Sequence, residues 1–203
     1  MQSRSKIDQL RLGQACEEWL SSRDSILGGI IASQSARWPT VPIEDPIWGL
    51  VRIVMAQQVS TSLACQIADQ AKSAFPDIAM PIRTSTPTVE NFRSWGMPER
   101  RSFCCATILE RSIDIIARVE SGETWEDALS GIKGIGPWTL ATFRVMVLRE
   151  PDILPLGDVG LERAFRNVYG TDASLEDVSE GWRPYRSVAC WYLWRTLGNR
   201  QLG

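Results

Sequence analysis

Residues 129–142, LSGIKGIGPWTLAT, hold three glycines, Gly131, Gly134 and Gly136, directly before a proline suited to open a helix. Glycine lets an anion approach the backbone, and the first amides of a helix lack internal partners and lie at its positive end. The amides of Gly134, Ile135 and Gly136, flanked by Lys133 and Thr139, are therefore expected to face outward as an anion site, with a DNA phosphate as the natural ligand. A plain turn between two helices uses the same glycines, so the turn by itself leaves both readings open. Asp158 follows Gly157 and precedes the helical pattern VGLERAFRNVYG. A carboxylate there gains from the helix dipole in its ionised form, but the same position is where an aspartate simply caps a helix.

The composition narrows the chemistry further. With no His among 203 residues, Ser-His-Asp and Cys-His nucleophiles, a His general base and His-containing zinc sites are all excluded. Acid–base work falls to carboxylates, Lys, Tyr or Cys. The net charge of −2 argues against an overall basic coat while permitting a local basic face. Nineteen of the 22 cations are Arg, which clamps phosphates but also forms helices with an apolar stem, so the bias is a weak signal. The five cysteines, Cys16, Cys65, Cys104, Cys105 and Cys190, are odd in number and lack C-x-x-C spacing, which reads as reduced and mostly buried thiols. The polar opening MQSRSKIDQLRLGQ and the absence of a long apolar run predict a cytosolic, soluble protein with no membrane partner.

These groups must be positioned by helices. Ile47, Leu50, Val51, Val54 and Met55 form one apolar stripe, and Leu63, Ala64, Ile67, Ala68, Ala71 and Phe75 form another after a break at Gln57-Gln58-Val59-Ser60. The three prolines from Pro76 to Pro87 predict a connector. One helix is expected from Pro98 to Glu120, with Phe103, Ala106, Leu109, Ile113, Ile116 and Ala117 on its apolar face and Gly122 past its end. A short helical pattern at Trp125–Leu129, a helix from Pro137 to about Arg149, a short helix after Asp158, a turn at Ser174 and a final helix from Pro184 complete the chain. The expectation is an all-α protein of eight to ten helices, since no alternating strand pattern persists.

The hairpin LSGIKGIGPWTLATF followed by LPLGD before a helix resembles the helix-hairpin-helix and Gly/Pro-Asp signature of the base-excision DNA glycosylase superfamily. Gln57-Gln58-Val59-Ser60, Gly96-Met97-Pro98 ahead of Arg100-Arg101, Trp138, and Trp182-Arg183-Pro184-Tyr185-Arg186-Ser187 are similar to its 3-methyladenine DNA glycosylase II branch. The pieces stand in the family's order from about residue 45 to 196. The resemblance implies a two-lobed helical fold without the N-terminal β domain of some relatives. One lobe is expected at 1–45 with 150–203, and a central lobe at 46–149 carries the hairpin at about 125–149.

The resemblance also implies roles. Asp158 falls on the essential aspartate that stabilises the sugar cation left as the base departs and orients the attacking water. Trp138 occupies the position where lyase-active relatives carry a Schiff-base lysine, so water rather than an amine is the expected nucleophile and an abasic site the product. Lys133 reads as a phosphate contact. Trp138 and Trp194 fall on aromatic pocket positions, where indoles stack on an electron-poor methylated purine swung out of double-stranded DNA. Trp182, Trp191 and Tyr192 read as structural. Gln58 matches the residue that fills the gap left by the flipped nucleotide. No cofactor and no iron–sulfur cluster is expected, while a monovalent cation at the hairpin is compatible with the resemblance. Thr142 and Arg195 stand where some relatives have tyrosines, which makes the pocket less aromatic. The implied activity is monofunctional excision of alkylated purines, N3-methyladenine above all and N7-methylguanine next, by a monomer at the bacterial nucleoid or in a eukaryotic nucleus. The rival readings are a non-catalytic helix-hairpin-helix DNA-binding module, a bifunctional glycosylase/lyase and a helical interaction protein with no nucleic-acid role.

Overall fold

The computed structural model describes residues 6–57 and 59–198. Among these there is no strand, and twelve α-helices run in order: α1 Lys6–Arg23, α2 Ser25–Ser33, α3 Pro46–Ala56, α4 Thr61–Ala74, α5 Val89–Ser94, α6 Glu99–Glu110, α7 Ser112–Glu120, α8 Trp125–Ala128, α9 Pro137–Met146, α10 Val159–Tyr169, α11 Leu175–Glu180 and α12 Arg186–Arg195. Short polar side chains set many of the starts. Asp24, Asp45, Ser60, Thr88, Thr124, Asp158 and Ser174 each accept a bond from a first-turn amide that would otherwise lack a partner.

The chain divides into two units. One is the continuous stretch Ile43–Phe143; the other is assembled from the segments on either side, up to Pro42 and from Arg144 onward. The second division falls inside α9, where Arg144 is tied to the segment just past the helix end. Its guanidinium binds both carboxylate oxygens of Glu150, and the Glu150 amide donates to the Arg144 carbonyl at 3.0 Å.

In the continuous unit α3 packs on α4 and α6, burying Leu50, Val51, Val54, Ile67, Cys105 and Ile108. The proline-rich connector is irregular, as its composition implies, yet it is anchored: Arg83 pairs with Asp45 where both side chains are 4% exposed, and its Nε donates to the Ile78 carbonyl at 2.8 Å. Pro98–Glu120, expected as one helix, is two. It breaks at Arg111, with φ −88° and ψ 8°, yet the buried stripe of Cys104, Cys105, Ile108, Leu109, Ser112 and Ile115 keeps a helical step across the break. Phe103 and Ile113, placed on the apolar face by their spacing, lie to one side of that stripe and are 54% and 83% exposed. The helix from Pro137 likewise ends at Met146, short of Arg149, and α5 had no counterpart in the sequence pattern.

In the divided unit α12 packs against α1, α2 and α10. Two carboxylates, the half-buried Asp24 and the buried Glu17, join segments distant in sequence. Asp24 caps α2 and accepts bonds from Tyr169 Oη at 2.7 Å and Trp182 Nε1 at 2.8 Å. Glu17 accepts from Tyr192 Oη and from the Trp38 amide. Stacking of Phe165 on Tyr169, with centroids 4.6 Å apart, completes the apolar side of the first junction.

Candidate active site

The glycine turn, α8 and α9 up to Phe143 belong to the continuous unit. Thr124 caps the single-turn α8, Ala128, Leu129 and Ile132 turn inward, and Trp125 meets Phe143 of α9 edge-to-face at 5.0 Å. Gly134 is required twice. Its φ is +106°, and a Cβ there would stand 3.0 Å from Cys104 Sγ. The amides of Gly134 and Gly136 make no backbone hydrogen bond among the described residues, and both residues are exposed beside the exposed Lys133. Ile135 differs from the expectation. Its amide donates to the Ile132 carbonyl at 3.2 Å and closes the turn, so the outward-facing pair is Gly134 and Gly136. The carbonyls of Lys133 and Ile135 accept no backbone bond among the described residues, which fits coordination of a monovalent cation by backbone oxygens.

Thr139 is buried rather than presented to a phosphate. Its Oγ1 accepts a bond from Gln57 Nε2 at 2.9 Å, and the Gln57 carbonyl in turn accepts from the Arg101 guanidinium. Arg101, partly withdrawn from water, has its pKa lowered by that burial. The break between α3 and α4 is thus fastened to the first turn of α9. Gln58, expected to fill the gap in the duplex, lies outside the described residues. Trp138, on that first turn of α9, is half-buried.

The aspartate belongs to the other unit. Gly157, at φ +76°, turns the chain into Asp158, whose carboxylate caps α10 by accepting the Leu161 amide at 2.5 Å on Oδ1. Trp194 Nε1 donates to the same oxygen at 3.0 Å from α12. The approach to Asp158 is strapped to the start of α12. Asp152 binds Arg186 Nε at 2.6 Å and Arg183 at 3.2 Å, the Ser187 amide donates to the Pro151 carbonyl, and the Ile153 amide donates to Ser187 Oγ. Burial works against the Asp152 carboxylate, but the bonds and charge of Arg186 outweigh it and leave its pKa lowered. One turn before Trp194, the fully buried Cys190 thiol is pushed strongly upward, by burial first and then by the negative charge of Asp158. Leu156 and Val159, 50% and 81% exposed, flank the aspartate.

The structure thus brings Asp158 and Trp194 into contact in one unit and sets Lys133, Gly134, Gly136 and Trp138 on one hairpin in the other. Two connections escaped the sequence reading. The Trp194–Asp158 bond spans 36 residues and the Gln57–Thr139 bond spans 82, and side-chain pairs this far apart leave no periodic trace. Thr142 is buried at 2% exposure, and Arg195 lies over the Trp191 ring at 4.8 Å. Among the described residues no three carboxylate or thiol side chains gather as a metal site, and no helix is long and apolar enough to cross a membrane.

No family model matches the chain. Known proteins do. A probable bifunctional transcriptional activator/DNA repair enzyme AlkA of Mycobacterium tuberculosis is 30% identical over 162 residues, 72% of this chain and 32% of that protein, so the chain spans about a third of that relative's length. DNA-3-methyladenine glycosylase 1 of Schizosaccharomyces pombe is 28% identical over 166 residues, 75% of this chain and 73% of that one. The crystal structure of a DNA-3-methyladenine glycosidase from Bacillus halodurans superposes with a TM-score of 0.63 at 27% identity, over 91% of this chain and 89% of that one. An all-helical chain with a glycine hairpin and a Gly-Asp-capped helix after it, matched by these relatives, belongs to the helix-hairpin-helix DNA glycosylase superfamily. Its place there is the 3-methyladenine glycosylase branch.

Proposed function

We propose that this chain is a monofunctional DNA glycosylase that removes alkylated purines, chiefly N3-methyladenine and also N7-methylguanine, and leaves an abasic site. The observation that carries the reading is Asp158, held at the N-terminus of α10 with its carboxylate bonded by two N–H groups. A cationic methylated base leaves with little help, so the barrier falls mainly through stabilisation of the positive charge that develops on the sugar. The Asp158 carboxylate supplies that stabilisation and orients the water that completes hydrolysis. Trp138 stacks on the electron-poor base, and the Gly134 and Gly136 amides with Lys133 hold the DNA backbone. Backbone oxygens of Lys133 and Ile135 would hold a monovalent cation beside that phosphate. The reaction so written needs no other cofactor and is carried out by a monomer on DNA in the cytosol or nucleus.

The test is release of labelled methylated bases from alkylated duplex DNA by the wild type beside Asp158→Asn, with chromatography of the freed bases. N3-methyladenine released by the wild type and not by the variant supports the reading. Duplex binding without release by either protein makes the chain a DNA-binding module. A protein–DNA adduct trapped by borohydride makes it a glycosylase/lyase.

A further inference from the structure

An aspartate that only caps its helix is held by that helix. The Asp158 carboxylate is held by two helices. Its Oδ1 takes the Leu161 amide from α10 at 2.5 Å and the Trp194 indole N–H from α12 at 3.0 Å. Two donors from different elements on one oxygen oppose rotation about Cβ–Cγ, because turning the carboxylate breaks both bonds together. The second donor is itself fixed. Asp152 binds Arg186 at the start of α12, Ser187 bridges back to Ile153, and the helix packs on α10. The indole is half-buried at the end of this rigid lever.

We infer that Trp194 is a positioning residue for the proposed hydrolysis, acting through its N–H on Asp158 and not as a stacking wall for the base. The inference rests on the glycosylase reading and adds to it the device that sets the direction of the carboxylate. A partly buried hydrogen bond to a charged group is worth enough that its loss slows a step depending on that group by roughly ten- to a hundredfold.

Two substitutions separate the ring from the donor. Trp194→Phe keeps an aromatic face without an N–H. Trp194→Gln loses the face but carries an N–H donor the same number of bonds from Cα as the indole nitrogen. We expect the single-turnover rate of base release to fall roughly tenfold or more in Phe and to be partly restored in Gln, with binding of both to an abasic duplex close to wild type. A Phe variant at the wild-type rate, or a Gln variant slower than Phe, overturns the inference and makes Trp194 a pocket wall. Wild type that releases no methylated base overturns the parent reading, and this inference with it. A further readout needs neither variant to fold. Hydrogen exchange at the Trp194 indole N–H of the wild type is expected to be slow, and fast exchange overturns the proposal.

Discussion

Cys104 lies directly against Gly134: a Cβ added to the glycine would meet the cysteine's Sγ at 3.0 Å and its Cβ at 3.1 Å. The α6 helix therefore forms the floor on which the hairpin turn rests. Gly134→Ala introduces a side chain at φ +106° and against that floor, and is expected to cost about 1–3 kcal/mol of stability while weakening binding to every duplex alike. Adding Cys104→Ala should recover part of the loss, because it removes the Sγ contact and leaves the backbone strain. Urea unfolding of the two single variants and the double variant measures both terms.

Asp158 has a structural duty as well as a proposed chemical one, and the two are separable. Asn caps helices about as well as Asp, so Asp158→Asn should unfold within a few tenths of a kcal/mol of wild type while excision disappears. Asp158→Ala loses the cap too and should cost about 1 kcal/mol more. Thermal melting beside the base-release assay checks the pair.

Trp138→Ala is expected to reduce release of methylated purines by roughly tenfold while leaving affinity for an abasic duplex nearly intact, since an abasic site offers no base to stack upon. Equal losses in both measurements would assign Trp138 to packing.

Arg83 and Asp45 form an ion pair from which water is almost absent. Removing one partner leaves the other charge buried and uncompensated, so Arg83→Met is expected to cost about 3–5 kcal/mol. Protease should then cut the connector between α4 and α5, and limited proteolysis followed by mass spectrometry reads that directly.

The thiols give a pH prediction. Burial pushes Cys16 and Cys104 up to about 11 from the ordinary 9.0. Between these values the unfolded chain has released protons that the folded chain keeps, so folding stability falls as pH rises from 9 to 11. In the native protein at pH 8, a thiol-alkylating reagent should label the exposed Cys65 and spare the four buried cysteines. Equilibrium unfolding across the alkaline range and mass mapping of the label test the two statements.

Much of this was legible from local signals. Asp158 and Ser174 are short polar side chains ahead of apolar runs, and Pro137 opens α9, so those starts follow from capping and from the fixed φ of proline. Gly134 and Gly157 take the left-handed backbone that glycine before a helix suggests. What did not show was phase and reach. The break at Arg111 contains neither Gly nor Pro and left no local sign, while Phe103 and Ile113 were misplaced because the buried stripe runs through the neighbouring Cys104, Cys105, Ile108 and Ser112 instead. Thr139 sits on the hairpin by sequence, yet its partner Gln57 lies 82 residues away and turns it inward. Trp194 was readable as an aromatic near the site, but which atom of it works is a matter of α12 packing on α10.

The division of the chain has a consequence for how the protein is made. The unit carrying the hairpin is one uninterrupted stretch and can fold as soon as it has left the ribosome. The unit carrying Asp158 has to wait. Asp24 meets Tyr169 and Trp182, and Glu17 meets Tyr192, across separations of 145 to 175 residues, so α1 and α2 pack on each other but lack these partners until the chain has been synthesised through Tyr192. A nascent chain would therefore carry the glycine turn before the unit that holds Asp158 has closed.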